Sequence, residues 1–176
     1  MTLPNLITIG RLVLVPVLIM MIVNERWQGA FILFLIAGLS DALDGYLAKH
    51  HGMASELGAY LDPIADKALI VSIYITLAVV GVIPSWIVIL VVSRDIMIVS
   101  AVILSWVMLR PVPIAPMIIS KLNTVAQIGF AALVLGSKGF GLDPGPALQI
   151  AQGLVALLTL GSMAAYLGYW LRHMAS

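Results

Sequence analysis

The polar and apolar positions of this chain follow one another in long blocks. Apolar residues fill six runs, roughly at 7–23, 30–49, 57–80, 85–109, 117–135 and 148–171. Each is close to the roughly 20 residues a helix needs to cross a bilayer. Between them stand short stretches rich in turn formers: "NERWQG", "HHGMAS", "GVIP", "RPVPIAP" and "GSKGFGLDPGP". Neither a linker nor a repeat interrupts the series. Lipid leaves a spanning chain only helices or closed barrels, because every backbone polar group must be satisfied internally. The expected fold is therefore all-α: an integral membrane protein with six transmembrane helices in one bundle, residues 1–176 forming a single domain. Ahead of the first long run, "TLPNLITIGR" predicts a short interfacial segment, with Pro4 suited to a helix start. "NERWQGA" offers no small-x-small cleavage site, so the first run is read as a span and not as a signal peptide.

Composition sharpens this picture. The chain is 62% hydrophobic and 10% charged, with a mean hydropathy of +1.12. A soluble domain carries about 25% charged residues. A net charge of +1 argues against a nucleic-acid partner, and the absence of cysteine excludes disulfides and thiolate chemistry. The basic residues set the orientation. With six spans, Arg11, Lys49, Arg110, Lys121 and Arg172 fall on one side and Arg26 and Lys138 on the other, which predicts both termini in the cytoplasm.

The remaining polar positions carry the chemistry. Of eight acidic residues, five lie in "SDALDGYLAKHHGMASELGAYLDPIAD", and four of these are the aspartates Asp41, Asp44, Asp62 and Asp66. Asp41 and Asp44 are three apart, and Asp62 and Asp66 four apart, so each pair shares a helical face. The two pairs flank the "HHGMAS" turn and can converge between antiparallel helices. Carboxylates at membrane depth need partners, and Lys49 and Lys67 are too few. Divalent cations suffice: a site of oxygen donors alone suits Mg²⁺, or Mn²⁺, and four carboxylates suit two ions bridging a diphosphate. Gly45 and Gly58 let a ligand approach the backbone, where alone they would read as helix-packing residues. The rival reading is a proton or cation pathway. Such transporters are typically built from internal repeats with interrupted helices in both halves, whereas these carboxylates sit in one helix pair.

Asp41-x-x-Asp44-Gly45-x-x-Ala48-Lys49, eight residues, then Gly58-x-x-x-Asp62-x-x-x-Asp66 resembles the signature of the CDP-alcohol phosphatidyltransferase family. The usual pattern has arginine where this chain has Lys49, which keeps the charge without the planar fork. The resemblance implies six-helix membrane homodimers that use CDP-diacylglycerol, releasing CMP as an acceptor hydroxyl attacks the β-phosphorus. It implies that Asp41, Asp44, Asp62 and Asp66 hold the metals and that Asp66 is the catalytic base. Gly45, Ala48, Lys49 and Gly58, with Asn5 and Thr8, would bind the nucleotide. "LPNLITIGRLVLVPVL", "LDPIADKALI", "VSRDIMIV" and above all "ISKLNT" resemble members of the mitochondrial type, whose acceptor is phosphatidylglycerol; glycerol 3-phosphate is the alternative acceptor. The expected location is a bacterial cell membrane with the site facing the cytoplasm, or the mitochondrial inner membrane. Arg94, Lys121 and Arg11 are the candidates for binding the acceptor. For Arg94, beside Asp95, the structural alternative is a neutralising polar patch; for Lys121 it is a snorkelling anchor, and for Arg11 an anchor of the interfacial turn.

Overall fold

A computed structural model describes the backbone of residues 3–51, 56–108 and 117–175, and their side chains apart from those of 3–8, 41–51, 56–64, 66, 102, 106, 174 and 175. Among the described residues six helices follow one another: α1 (Leu3–Val23), α2 (Trp27–His51), α3 (Glu56–Val79), α4 (Ser85–Val107), α5 (Ile118–Phe140) and α6 (Pro146–Ala175). No strand occurs among the described residues. Three described helices are long and apolar enough to cross a membrane, over Ser85–Ser105, Ile118–Phe140 and Pro146–His173. Shorter apolar stretches are Ile9–Val23, Trp27–Ser40 and Lys67–Val79. Large apolar side chains such as Val13, Met20, Ile89, Val99, Leu157 and Leu171 stand exposed along these helices. An apolar exterior on this scale belongs against lipid, and the protein is a membrane protein.

Two features differ from the sequence expectation. The N-terminal stretch is no separate element, since α1 is continuous from Leu3 and passes through Pro16. Helix α5 runs five residues beyond 135, through a stretch that reads as loop because of its glycines. A Cβ at Gly136 would lie 3.1 Å from the Phe31 ring, and one at Gly139 3.2 Å from the Gln28 backbone. At these glycines α5 lies directly against α2, a close approach that small residues allow between membrane helices. Phe140 then meets Phe31 edge to face, with ring centroids 5.7 Å apart.

The chain forms two compact units: Met1–Ile83 with Ala131–Pro144, and Pro84–Phe130 with Gly145–Ser176. In the first, α1 packs against both α2 and α3. Ala65, Leu69, Ile73 and Leu77 form a buried stripe at four-residue steps along α3, and Leu18 and Ile22 of α1 are likewise buried. In the second, α4 packs against α6. Among the described residues eight polar or charged side chains are buried, and Arg94, Ser105, Asn123, Gln127, Thr159 and Ser162 of them lie in this unit. Interhelical hydrogen bonds therefore help hold it together where lipid supplies no hydrophobic drive.

The helix ends explain the short connections. At the end of α1 the Arg26 amide donates to the Met21 carbonyl at 2.8 Å and the Glu25 amide to Ile22 at 3.0 Å, a Schellman cap. The same pair closes α3, where Val82 donates to Leu77 and Gly81 to Ala78. The residue in the left-handed region is Gly81 (φ 75°) after α3 but Glu25 (φ 56°) after α1.

Candidate active site

Helix α2 carries Asp41, Asp44, Gly45, Ala48 and Lys49, and α3 carries Gly58, Asp62 and Asp66. The signature thus stands on two consecutive helices joined through residues 52–55, as its spacing predicts. The side chains of these residues, and those of Asn5 and Thr8 on α1, lie outside the described residues. Among the described residues no three His, Cys, Asp or Glu side chains come together as a metal site. A cleft of about 280 Å³ beside the α1–α2 turn, lined by Val17, Met20, Met21, Asn24 and Arg26, contains none of the signature residues.

Arg11 of α1 is described, and it is buried, at 2% exposure. It belongs to the helix that packs on both signature helices. A guanidinium is brought so deep into an apolar helix only where anionic or polar groups compensate its desolvation. Burial removes the simplest alternative, a cation left at the water interface to anchor a turn.

Among the described residues the second unit contains one further buried cation. Arg94 occupies the interior stripe of α4 that includes Ile87 and Val91, and it is 3% exposed. Its Nη1 donates to Asp95 Oδ1 at 2.7 Å. Its Nε and Nη2 donate to Ser162 Oγ on α6, at 3.1 and 3.0 Å, and Nη2 also donates to Ser120 Oγ on α5. The Tyr166 ring lies beneath, 5.8 Å from the guanidinium carbon, close enough for a cation–π contact. One turn along α5, Asn123 Oδ1 accepts from Thr159 Oγ1 of α6 at 2.9 Å. The Asn123 amide nitrogen is buried and has no hydrogen-bond partner among the described residues. Lys121, beside Ser120, is exposed.

The expectation for Arg94 therefore meets a composite result. The neutralising patch exists, since Asp95 and two serines take four of the five guanidinium N–H groups. One Nη1 N–H has no acceptor among the described residues. Ser120, Asn123, Thr159, Ser162 and Tyr166 were not singled out by the sequence reading. Their signal was present as polar residues at helical spacing in apolar helices: Ser120, Asn123 and Gln127 on α5, and Thr159, Ser162 and Tyr166 on α6.

These features define a class: an all-helical membrane protein with paired carboxylates on adjacent helices and buried arginines in an apolar setting. The chain belongs to the CDP-alcohol phosphatidyltransferase family, whose model matches residues 1–170. It is 34% identical to the cardiolipin synthase (CMP-forming) of Rattus norvegicus, across 96% of this chain and 61% of that protein. It is 36% identical to the chloroplastic CDP-diacylglycerol–glycerol-3-phosphate 3-phosphatidyltransferase 1 of Oryza sativa subsp. japonica, across 94% of this chain and 56% of that one. The corresponding enzyme of Bacillus subtilis is 31% identical, with 91% of this chain and 90% of that protein covered. The chain thus spans about three-fifths of the length of the rat and human cardiolipin synthases it matches.

Proposed function

We propose that this protein is a cardiolipin synthase that transfers the phosphatidyl group of CDP-diacylglycerol to phosphatidylglycerol, giving cardiolipin and CMP. The reading is carried by the acidic signature on α2 and α3 of a chain matched over residues 1–170 by the family model. The likeness to cardiolipin synthases across nearly the whole chain supports the choice of acceptor.

In this reading Asp41, Asp44, Asp62 and Asp66 hold two divalent ions, Mg²⁺ or Mn²⁺. The donor set fits: four carboxylates, in a chain without cysteine, suit hard cations. When bound, the ions supply charge neutralisation at the diphosphate and at the departing CMP. Asp66 takes the proton from the acceptor hydroxyl, whose ordinary pKa lies far above neutrality. The acceptor oxygen bonds to the β-phosphorus as that phosphorus parts from the bridging oxygen, which leaves with CMP. Gly45, Ala48 and Gly58 leave room for the cytidine, Lys49 lies by its phosphates, and Asn5 and Thr8 fix its position. Arg94, Lys121 and Arg11 attract the acceptor phosphate.

The same reading makes residues 1–176 one domain of six spans with both termini cytoplasmic, working as a homodimer. Its membrane is the bacterial cell membrane, with the site facing the cytoplasm, or the mitochondrial inner membrane. A second acceptor, glycerol 3-phosphate, is favoured by one observation: the Bacillus subtilis relative, named for that acceptor, is matched over 90% of its length. Purified protein in lipid nanodiscs, given CDP-diacylglycerol, Mg²⁺ and each acceptor separately, decides between them. Cardiolipin from phosphatidylglycerol is the expected product. Phosphatidylglycerophosphate from glycerol 3-phosphate, with no cardiolipin, establishes the second reading.

A further inference from the structure

The Arg94 cluster has an electrostatic property that bears on which acceptor it can receive. Arg94 is the single cation of α4, and Asp95, also on α4, offsets its charge at 2.7 Å. Lys121, next to Ser120 on α5, is exposed, whereas Asn123 is wholly buried, so the lysine attracts the acceptor from outside the buried cluster. Among the described residues the buried cluster is therefore neutral. It is nevertheless rich in hydrogen-bond donors. Thr76 and Ser105, elsewhere in apolar helices, donate to carbonyls four residues back. Ser162 has no such bond among the described residues; its oxygen accepts twice from Arg94, which leaves its hydroxyl proton to be given to another acceptor. Thr159 holds the oxygen of the Asn123 amide, so its two N–H donors are aimed away from Thr159 and have no described acceptor. One Nη1 N–H of Arg94 likewise has no acceptor among the described residues. Buried donors without acceptors are costly, and an oxygen-rich ligand relieves that cost.

We propose that this neutral, donor-rich cluster receives the acceptor headgroup, and that Asp95 and Asn123 are its specificity-determining residues. They favour a phosphodiester of single charge bearing free hydroxyls over a phosphomonoester dianion. The inference rests on the phosphatidyltransferase reading of the chain. A phosphodiester headgroup with glycerol hydroxyls presents several acceptor oxygens and one charge. A dianion brings a second negative charge to a cation already offset by Asp95, and among the described residues no further buried cation of this unit compensates its lost hydration.

The test uses the full chain in nanodiscs with CDP-diacylglycerol and Mg²⁺, measuring kcat and KM for phosphatidylglycerol and for glycerol 3-phosphate. Asp95→Asn keeps the side-chain shape and removes its charge. It is expected to move the kcat/KM ratio towards glycerol 3-phosphate by roughly tenfold, the scale of one added unit charge acting across a partly buried site. Asn123→Ala is expected to raise KM for phosphatidylglycerol by roughly fivefold, as loss of a buried hydrogen bond does, with kcat within about twofold. A purely structural role for Asn123 lowers the melting temperature and the active fraction without moving KM. Should Asp95→Asn not fold, Asn123→Asp takes its place: a carboxylate there depresses use of the dianion more than use of the phosphodiester. Unchanged ratios in the charge variants, or wild-type protein that prefers glycerol 3-phosphate, overturn the inference while leaving the phosphatidyltransferase reading intact. If wild-type protein releases CMP with no acceptor tried, that reading falls and the inference falls with it.

Discussion

Replacing Arg94 by methionine tests how the second unit is held together. Methionine keeps the unbranched length of the side chain and suits the apolar stripe that contains Val91, so packing is changed little. What disappears is a set of contacts that joins three helices. Three hydrogen bonds leave α4, two to Ser162 of α6 and one to Ser120 of α5. Interhelical bonds in membrane proteins average about 0.6 kcal/mol each, so their loss costs about 2 kcal/mol. Asp95, 15% exposed, also loses its counter-charge. Leaving a fully buried partner uncompensated costs about 3–5 kcal/mol; the partial exposure of Asp95 brings this down to about 1–2 kcal/mol. Arg94→Met is therefore expected to destabilise the unit by about 3–4 kcal/mol in all.

Two further variants separate the contributions. Arg94→Met with Asp95→Asn removes the stranded charge and should recover about 1–2 kcal/mol. Arg94→Lys keeps the charge beside Asp95 but has no fork to reach both serines, and should cost about 1–2 kcal/mol. Reversible unfolding in mixed micelles supplies the free energies. Trp170 is a suitable reporter, because its indole N–H on α6 donates to Ser105 Oγ at 2.9 Å and to the Ala101 carbonyl at 3.1 Å, both on α4. If Arg94→Met unfolds within about 0.5 kcal/mol of wild type, the guanidinium does not hold these helices together. If the double variant is no more stable than Arg94→Met, the charge argument for Asp95 is wrong.

Other consequences are open to direct measurement. Excess chelator should abolish CMP release, and Mg²⁺ or Mn²⁺ should restore it; full activity without any divalent ion refutes the two-ion site. Asp66→Asn should retain CMP binding in the presence of Mg²⁺ and lose turnover, and normal turnover in that variant would assign the base elsewhere. His51→Cys, in a chain with no native cysteine, should react with an impermeant thiol reagent only from the cytoplasmic side; labelling from outside intact cells reverses the topology. Glu25→Gly should stabilise the protein by about 0.5–1 kcal/mol, since Glu25 holds a φ of 56° in the cap of α1 that glycine adopts without strain; a lower unfolding midpoint would show that the Glu25 side chain contributes more than the strain costs.

The parts of the molecule that could be read from sequence are those governed by one helix at a time. Six apolar runs became six helices because a run of that length satisfies its own backbone whatever its neighbours do. Where a neighbour decides, reading along the chain failed. Gly136 and Gly139 read as loop residues in the sequence, yet they lie within α5 and make room for α2, whose Phe31 ring and Gln28 backbone come within 3.1 and 3.2 Å of where their side chains would begin. Ser162 could not be told from Ser105, since both are serines in apolar helices. One donates to its own helix while the other receives a guanidinium from α4, and the difference is set by the register of α4 against α6. A partial rule for such cases is already present in α5. Ser120, Asn123 and Gln127 recur at steps of three and four in a helix otherwise suited to lipid. A side chain facing lipid gains nothing from polarity, so a stripe with that spacing marks the face turned towards other helices. The single arginine of a neighbouring apolar helix is then the group expected to meet it, which is how Arg94 comes to lie against Ser120.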